Sequence, residues 1–178
     1  GGIYLNYRSF EYRIQSNSFD GNQAINGGGI HLDSQNENGY IISNNFTENR
    51  VSTSGGGLSV KDSNGDLMIQ FNRFISNWSS RYGGGLSLRS ANNAVRIIDC
   101  YFDDNYATTA GGSIHSSLLN SNLVVSNTKI IKSQSQYGGG VFIGEDHQNV
   151  TFQDTLITNC SSNYGGGVYI TQFTDIVK

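Results

Sequence analysis

Phe46-Thr47-Glu48-Asn49, running through Arg50–Ser54 into Gly55-Gly56-Gly57-Leu58, is the stretch whose repetition decides the fold. The same F-x-x-N signature stands at Phe19-Asp20-Gly21-Asn22, Phe74-Ile75-Ser76-Asn77 and Phe102-Asp103-Asp104-Asn105. Each is followed by its own Gly-Gly pair and an aliphatic residue. With that aliphatic residue as position 0, the repeats start at Ile3, Ile30, Leu58, Leu86, Ile114, Val141 and Val168 (coils 1 to 7). The spacings are 27, 28, 28, 28, 27 and 27 residues. A constant period of this size marks a stacked repeat.

Three apolar columns run through the repeats. Position +2 reads Leu5, Leu32, Val60, Leu88, Ser116, Ile143 and Ile170. Position +11 reads Ile14, Ile41, Ile69, Ile97, Val125 and Phe152, and position +16 reads Phe19, Phe46, Phe74, Phe102, Ile130 and Ile157. Each column alternates with polar or variable neighbours, the period of a half-buried strand. No stretch carries a helical period. A unit of 27–28 residues cannot bury its own apolar face, so neighbours must stack. A propeller blade needs about 40 residues, and the ladder of a leucine-rich repeat is absent. The remaining all-β solution is a parallel β-helix of about 6.5 coils, with three short strands per coil. Residues 1–178 are expected to form one such domain, a segment of a longer repeat protein without its caps.

Composition agrees. Proline is absent, as expected when every coil is a central strand to its neighbours. Glycine, 23 of 178 residues, concentrates in triplets suited to tight corners. Asparagine recurs at +19 (Asn22, Asn49, Asn77, Asn105) and at +14 (Asn17, Asn44, Asn72), where a left-handed corner and a hydrogen-bonded ladder are expected. The stretch from +19 to the next triplet holds all the length variation and reads as a free turn. Charged residues are 14% and the net charge is −3, with no basic block, which excludes a nucleic-acid binder of the ordinary electrostatic type. No apolar run reaches the ~20 residues of a membrane-spanning helix.

The paired F-x-x-N and GG-x-[ILV] motifs resemble the polymorphic membrane protein repeats of chlamydial surface proteins, over essentially the whole chain. The chain departs where GGA becomes GGG and where Ile130 and Ile157 replace Phe. The resemblance implies a right-handed β-helix acting as an extracellular or cell-surface passenger or adhesin. It implies no catalytic residue. Implied partners are further coils or copies stacked end to end, and glycans or cell-surface proteins.

A search for chemistry yields little. Asp99 and Asp154 share column +13 with Asp103 nearby, the starting point for an alternative reading as a carbohydrate-active enzyme, lyase or hydrolase, or a glycan-binding relative. No third functional group is placed beside them, and no catalytic residue, cofactor or metal ligand is assigned. His31 and His115 share an outward column three coils apart; His147 reads as part of an exposed polar loop. Cys100 and Cys160 lie two coils apart, too far for a disulfide, and read as free thiols. Among four N-x-[ST] sequons, Asn149 and the outward Asn45 are the favoured glycosylation acceptors, whereas Asn77 belongs to the inward ladder. Tyr137, Phe142, Tyr164 and Tyr169 form a possible aromatic contact strip, which either binds a ligand or covers the glycine corner.

Overall fold

The structure, a computed structural model, describes residues 1–171 and the strand at 176–177. Among the described residues every strand is parallel to its neighbours, in sheets of seven, seven, six and four strands. Sheet A stacks the strands that open each coil, pairing Ile3 with Ile30, Leu58 with Leu86, and Val141 with Val168. Sheet B pairs Ile14, Ile41, Ile69, Ile97, Val125 and Phe152 in succession. Sheet C does the same for Phe19, Phe46, Phe74, Phe102, Ile130 and Ile157. The expected strands and their register are therefore those observed, because a period-2 strand can bury an apolar column in only one register.

The stretch beyond +19 differs from the expected free turn. Its first residues form sheet D, with strands Gln23–Asn26, Arg50–Ser54, Trp78–Ser79 and Tyr106–Ala107. Between coils 1 and 2 the length difference is absorbed within this sheet: Ala24 pairs with Val51, but Asn26 pairs with Ser54, so a bulge takes up the extra residue of coil 2.

The corners also differ from expectation in one respect. Left-handed residues precede the asparagine columns rather than occupy them. Column +13 contributes Ser43, Phe71, Asp99 and Asn127, with φ of 47–55°, and column +18 contributes Glu48, Ser76, Asp104 and Lys132, with φ of 52–54°. The turn made there aims the next side chain inward. Asn44, Asn49, Asn72, Asn77 and Asn105 are accordingly buried. Each buried amide works in two directions. Asn44 donates from Nδ2 to Asn72 Oδ1 at 3.0 Å and to the Ile14 carbonyl at 2.9 Å, while its backbone N–H donates to the same Asn72 Oδ1. Buried polar groups that are fully paired in this way fix the coil-to-coil register.

A third ladder, absent from the sequence reading, runs at +6 through Asn36, Asn64, Asn92 and Asn120, all buried. Its links are 3.0, 3.2 and 3.1 Å.

The core is the space enclosed by sheets A, B and C. Phe46, Phe74 and Phe102 are fully buried and stack with centroids 4.6 and 4.5 Å apart, nearly parallel. The triplets are shaped by this core. Gly55 has φ 67°; a Cβ on Gly56 would lie 2.2 Å from the Gly84 carbonyl oxygen, and one on Gly57 would lie 2.8 Å from the Phe74 ring. Backbone conformation, the next coil and the phenylalanine stack thus each exclude a side chain from one position.

Cys100 and Cys160 are free. Cys100 replaces asparagine at +14, and its thiol donates to the carbonyls of Ile98 and Ile69 at 3.3 and 3.4 Å.

Candidate functional site

Position +1 of each coil points outward from sheet A, yet part of this face is covered. Ser59, Ser87 and His115 are only 4, 3 and 5% exposed. The cover comes from the residue before each glycine triplet, which reads Ser54, Tyr82, Ala110, Tyr137 and Tyr164 in successive coils. In coils 4 and 5 large and small residues alternate between the two columns, whereas coils 6 and 7 carry a ring in both. Next to the small Ser87, Tyr82 reaches the ring of His115, with centroids 4.7 Å apart. Where Ala110 is small, His115 fills the space. From there the stack continues through Phe142, at 5.2 Å, to Tyr169, at 5.7 Å.

All four residues of the expected strip belong to this cluster. Tyr137 stacks on Tyr164 at 5.2 Å and tilts against Tyr169 at 5.5 Å, while Tyr169 covers Phe142. Tyr82 and His115 complete it and were not in the expected set. The signal for them was present: Tyr82 precedes a triplet and His115 shares the column of Phe142. Their contact crosses the corner between the columns, which repeat alignment alone does not reveal. Consecutive ring planes are 10–24° apart along this stack, so each ring covers the face of the next and turns its edge outward.

Beside the stack lies a groove of about 480 Å³. Ser87, His115 and Phe142 form its floor. Arg81 and Tyr82 stand on one wall, with Arg89, Leu118 and Glu145 on the other. Among the described residues, the charged ones of its lining are two arginines and one glutamate. Arg89 keeps a loose 3.8 Å contact with Asp62. Burial, with a smaller contribution from His147, pushes His115 down to about 3, so its imidazole is neutral at physiological pH. Ser87 Oγ lies 3.4 Å from His115 Nδ1. That distance and so weak a base do not make a nucleophile pair.

At the other end of the sheet A face, Tyr4 stacks on His31 at 5.4 Å. There Asp33 accepts from the Tyr4 hydroxyl and from Lys61, both at 2.8 Å. Lys61 holds the Asp33 carboxyl down to about 2. The remaining arginine contacts lie on other faces, as where Arg50 covers the Trp78 ring at 4.7 Å on sheet D.

His147 is not in an exposed loop. The left-handed residue Asp146 turns it inward, and it is 1% exposed, at the top of the +6 asparagine column. The sequence reading failed there because Glu145-Asp146-His147 has a polar composition whichever way it faces.

The carboxylates of the enzyme alternative remain apart. Asp99 and Asp154 occupy separate left-handed corners with Asn127 between them in the column. Asp99 accepts from Gln70 and Asp103 from the Tyr101 hydroxyl. No group of three or more metal-binding side chains occurs among the described residues. Asn45 and Asn149 are exposed, Asn149 in a left-handed corner with its amide 3.0 Å from Asn122 Oδ1, and Asn77 is fully buried in its ladder.

Residues 1–177 match the family described as right handed beta helix region. The chain belongs to the right-handed β-helix family. No curated protein and no solved structure gives a significant match. This β-helix therefore carries its family's architecture, and its groove has to be read from its own residues.

Proposed function

We propose that this β-helix is a rigid, non-catalytic solenoid at the cell surface or outside the cell, adhesive through the groove on sheet A. The observation that carries the reading is the groove itself. Ring edges, five hydroxyl side chains (Thr53, Ser54, Ser87, Ser117, Thr171) and two arginines line one lateral trough across successive coils. Such a surface suits a polyhydroxylated chain, and we take a surface saccharide as its partner. The resemblance to polymorphic membrane protein repeats supports the surface location. Glu145 is the one carboxylate among the described residues of the lining, which argues against paired acid–base chemistry at this place.

The test is binding to immobilised neutral and acidic polysaccharides. Retention is expected for the native chain and a loss for Phe142→Ala and for the double variant Arg81→Ala/Arg89→Ala, each folded by circular dichroism. Equal retention of native and variant chains, or none by either, would remove the groove from this role. Cleavage of the polysaccharide would restore the enzyme alternative.

A further inference from the structure

The wall of the groove is held by a single buried histidine. His147 Nε2 lies 2.7 Å from Ser116 Oγ, and Nδ1 lies 3.1 Å from the Glu145 carbonyl. Ser116 Oγ also accepts from Asn120 Nδ2 at 3.0 Å. These contacts select one protonation state. A carbonyl can only accept, so Nδ1 carries the proton. Asn120 Nδ2 can only donate, which leaves the Ser116 hydroxyl proton for Nε2. The neutral imidazole satisfies every atom of the chain.

Around it the backbone is tied to the coil below. Gly144 N–H donates to the Ser116 carbonyl at 2.7 Å, Gln148 N–H to the Asn120 carbonyl at 3.2 Å, and Leu119 N–H to the Glu145 carbonyl at 3.3 Å. Leu118, Gly144 and Glu145 are groove lining, so this knot shapes the wall.

We propose that His147 is a proton-sensitive latch on the groove wall, closed while its imidazole is neutral and released when acid protonates it. A second proton on Nε2 would meet the Ser116 oxygen and leave the hydroxyl hydrogen of Ser116 without its acceptor. The new charge would be buried, with no carboxylate among the described residues in ion-pair contact. Asp146, on the same corner, favours the charge. His147 in turn lowers His115 on sheet A, whose imidazole is neutral and sets no charge against that of His147. Glu145 and Arg89 line the groove beyond the corner. Burial outweighs the backbone hydrogen bonds to Glu145 and Gly144 as well as Asp146, and holds His147 below its ordinary value of 6.5. The opened corner exposes the imidazole and so binds the proton more readily than the closed one. Opening is therefore favoured as pH falls below about 6.5.

The latch deepens the binding reading above as regulation of the same groove. Its test uses no ligand, so failure here leaves that reading standing. Hydrogen–deuterium exchange of the full chain, corrected for intrinsic rates, reports the amides of Leu119, Gly144 and Gln148. Their protection is expected to fall by up to about tenfold per pH unit between pH 6.5 and 4.5. In His147→Asn the column becomes asparagine from coil 2 to coil 6, a side chain the ladder already accepts four times, and protection should hold across that range. Protection in the native chain that does not change with pH would overturn the latch. So would an acid response that persists in His147→Asn, or one that disappears only in His115→Phe.

Discussion

Ser113 Oγ lies 2.6 Å from Ser133 Oγ across the core corner of coil 5. Ser113 is the one triplet residue between coils 2 and 7 that is not glycine, and Ser133 takes the place of a ladder asparagine. In the same coil the +16 residue is Ile130 instead of phenylalanine. In coils 2 to 4 a Cβ at the third triplet position would meet the phenylalanine ring at 2.6–2.9 Å. Loss of the ring and gain of the serine are thus one packing solution.

Ile130→Phe should accordingly destabilise the chain by about 1–3 kcal/mol, through overpacking against Ser113. Adding Ser113→Gly should recover most of that loss. A double-mutant cycle in denaturant measures the coupling, and additive losses would separate the two sites.

The phenylalanine stack supports the coils on both sides of it. Phe74→Ala removes a fully buried ring between Phe46 and Phe102 and should cost about 3–5 kcal/mol in chemical denaturation. Phe71→Ala, three residues away at a 54% exposed left-handed corner, should cost far less. Similar losses for the two would contradict the register of sheet C.

Tyr12 and Gly39 are a paired exception in column +9, which is otherwise Leu67, Val95, Leu123 and Val150. A Cβ on Gly39 would lie 2.2 Å from the Tyr12 hydroxyl oxygen, so the ring uses the space the glycine leaves. That hydroxyl is buried without a hydrogen-bond partner. Tyr12→Phe should therefore raise stability by about 1 kcal/mol. Gly39→Leu should destabilise alone and be rescued by Tyr12→Ala. Thermal melts of the single and double variants check both.

Burial pushes the Cys100 thiol up to about 12, and Cys160 is half-buried with its own value raised. The native chain should label faster at Cys160 than at Cys100 with a thiolate-selective reagent. The denatured, unreduced chain should label fully at both. A recovered Cys100–Cys160 crosslinked peptide would contradict the coil assignment.

The sequence by itself determined the coil. Ile30, Ile41 and Phe46 stack on chemically similar residues one period later, and a period-2 strand can bury such a column in only one register. The same logic exposed two of the asparagine ladders. It missed the third because Asn36, Asn64 and Asn92 sit in stretches of mostly polar residues, where composition does not distinguish inward from outward. Tertiary structure decided that direction, through left-handed residues such as Gln35, Ser63 and Ala91 that turn the next side chain into the core. It also decided the groove. Residue size varies along the columns of Tyr82 and His115, and only folding brings Tyr82 beside Ser87 and His115 beside Ala110. A repeat announces what recurs in every coil, whereas this candidate site is built at positions whose residues vary from coil to coil, and their meeting depends on packing across a corner.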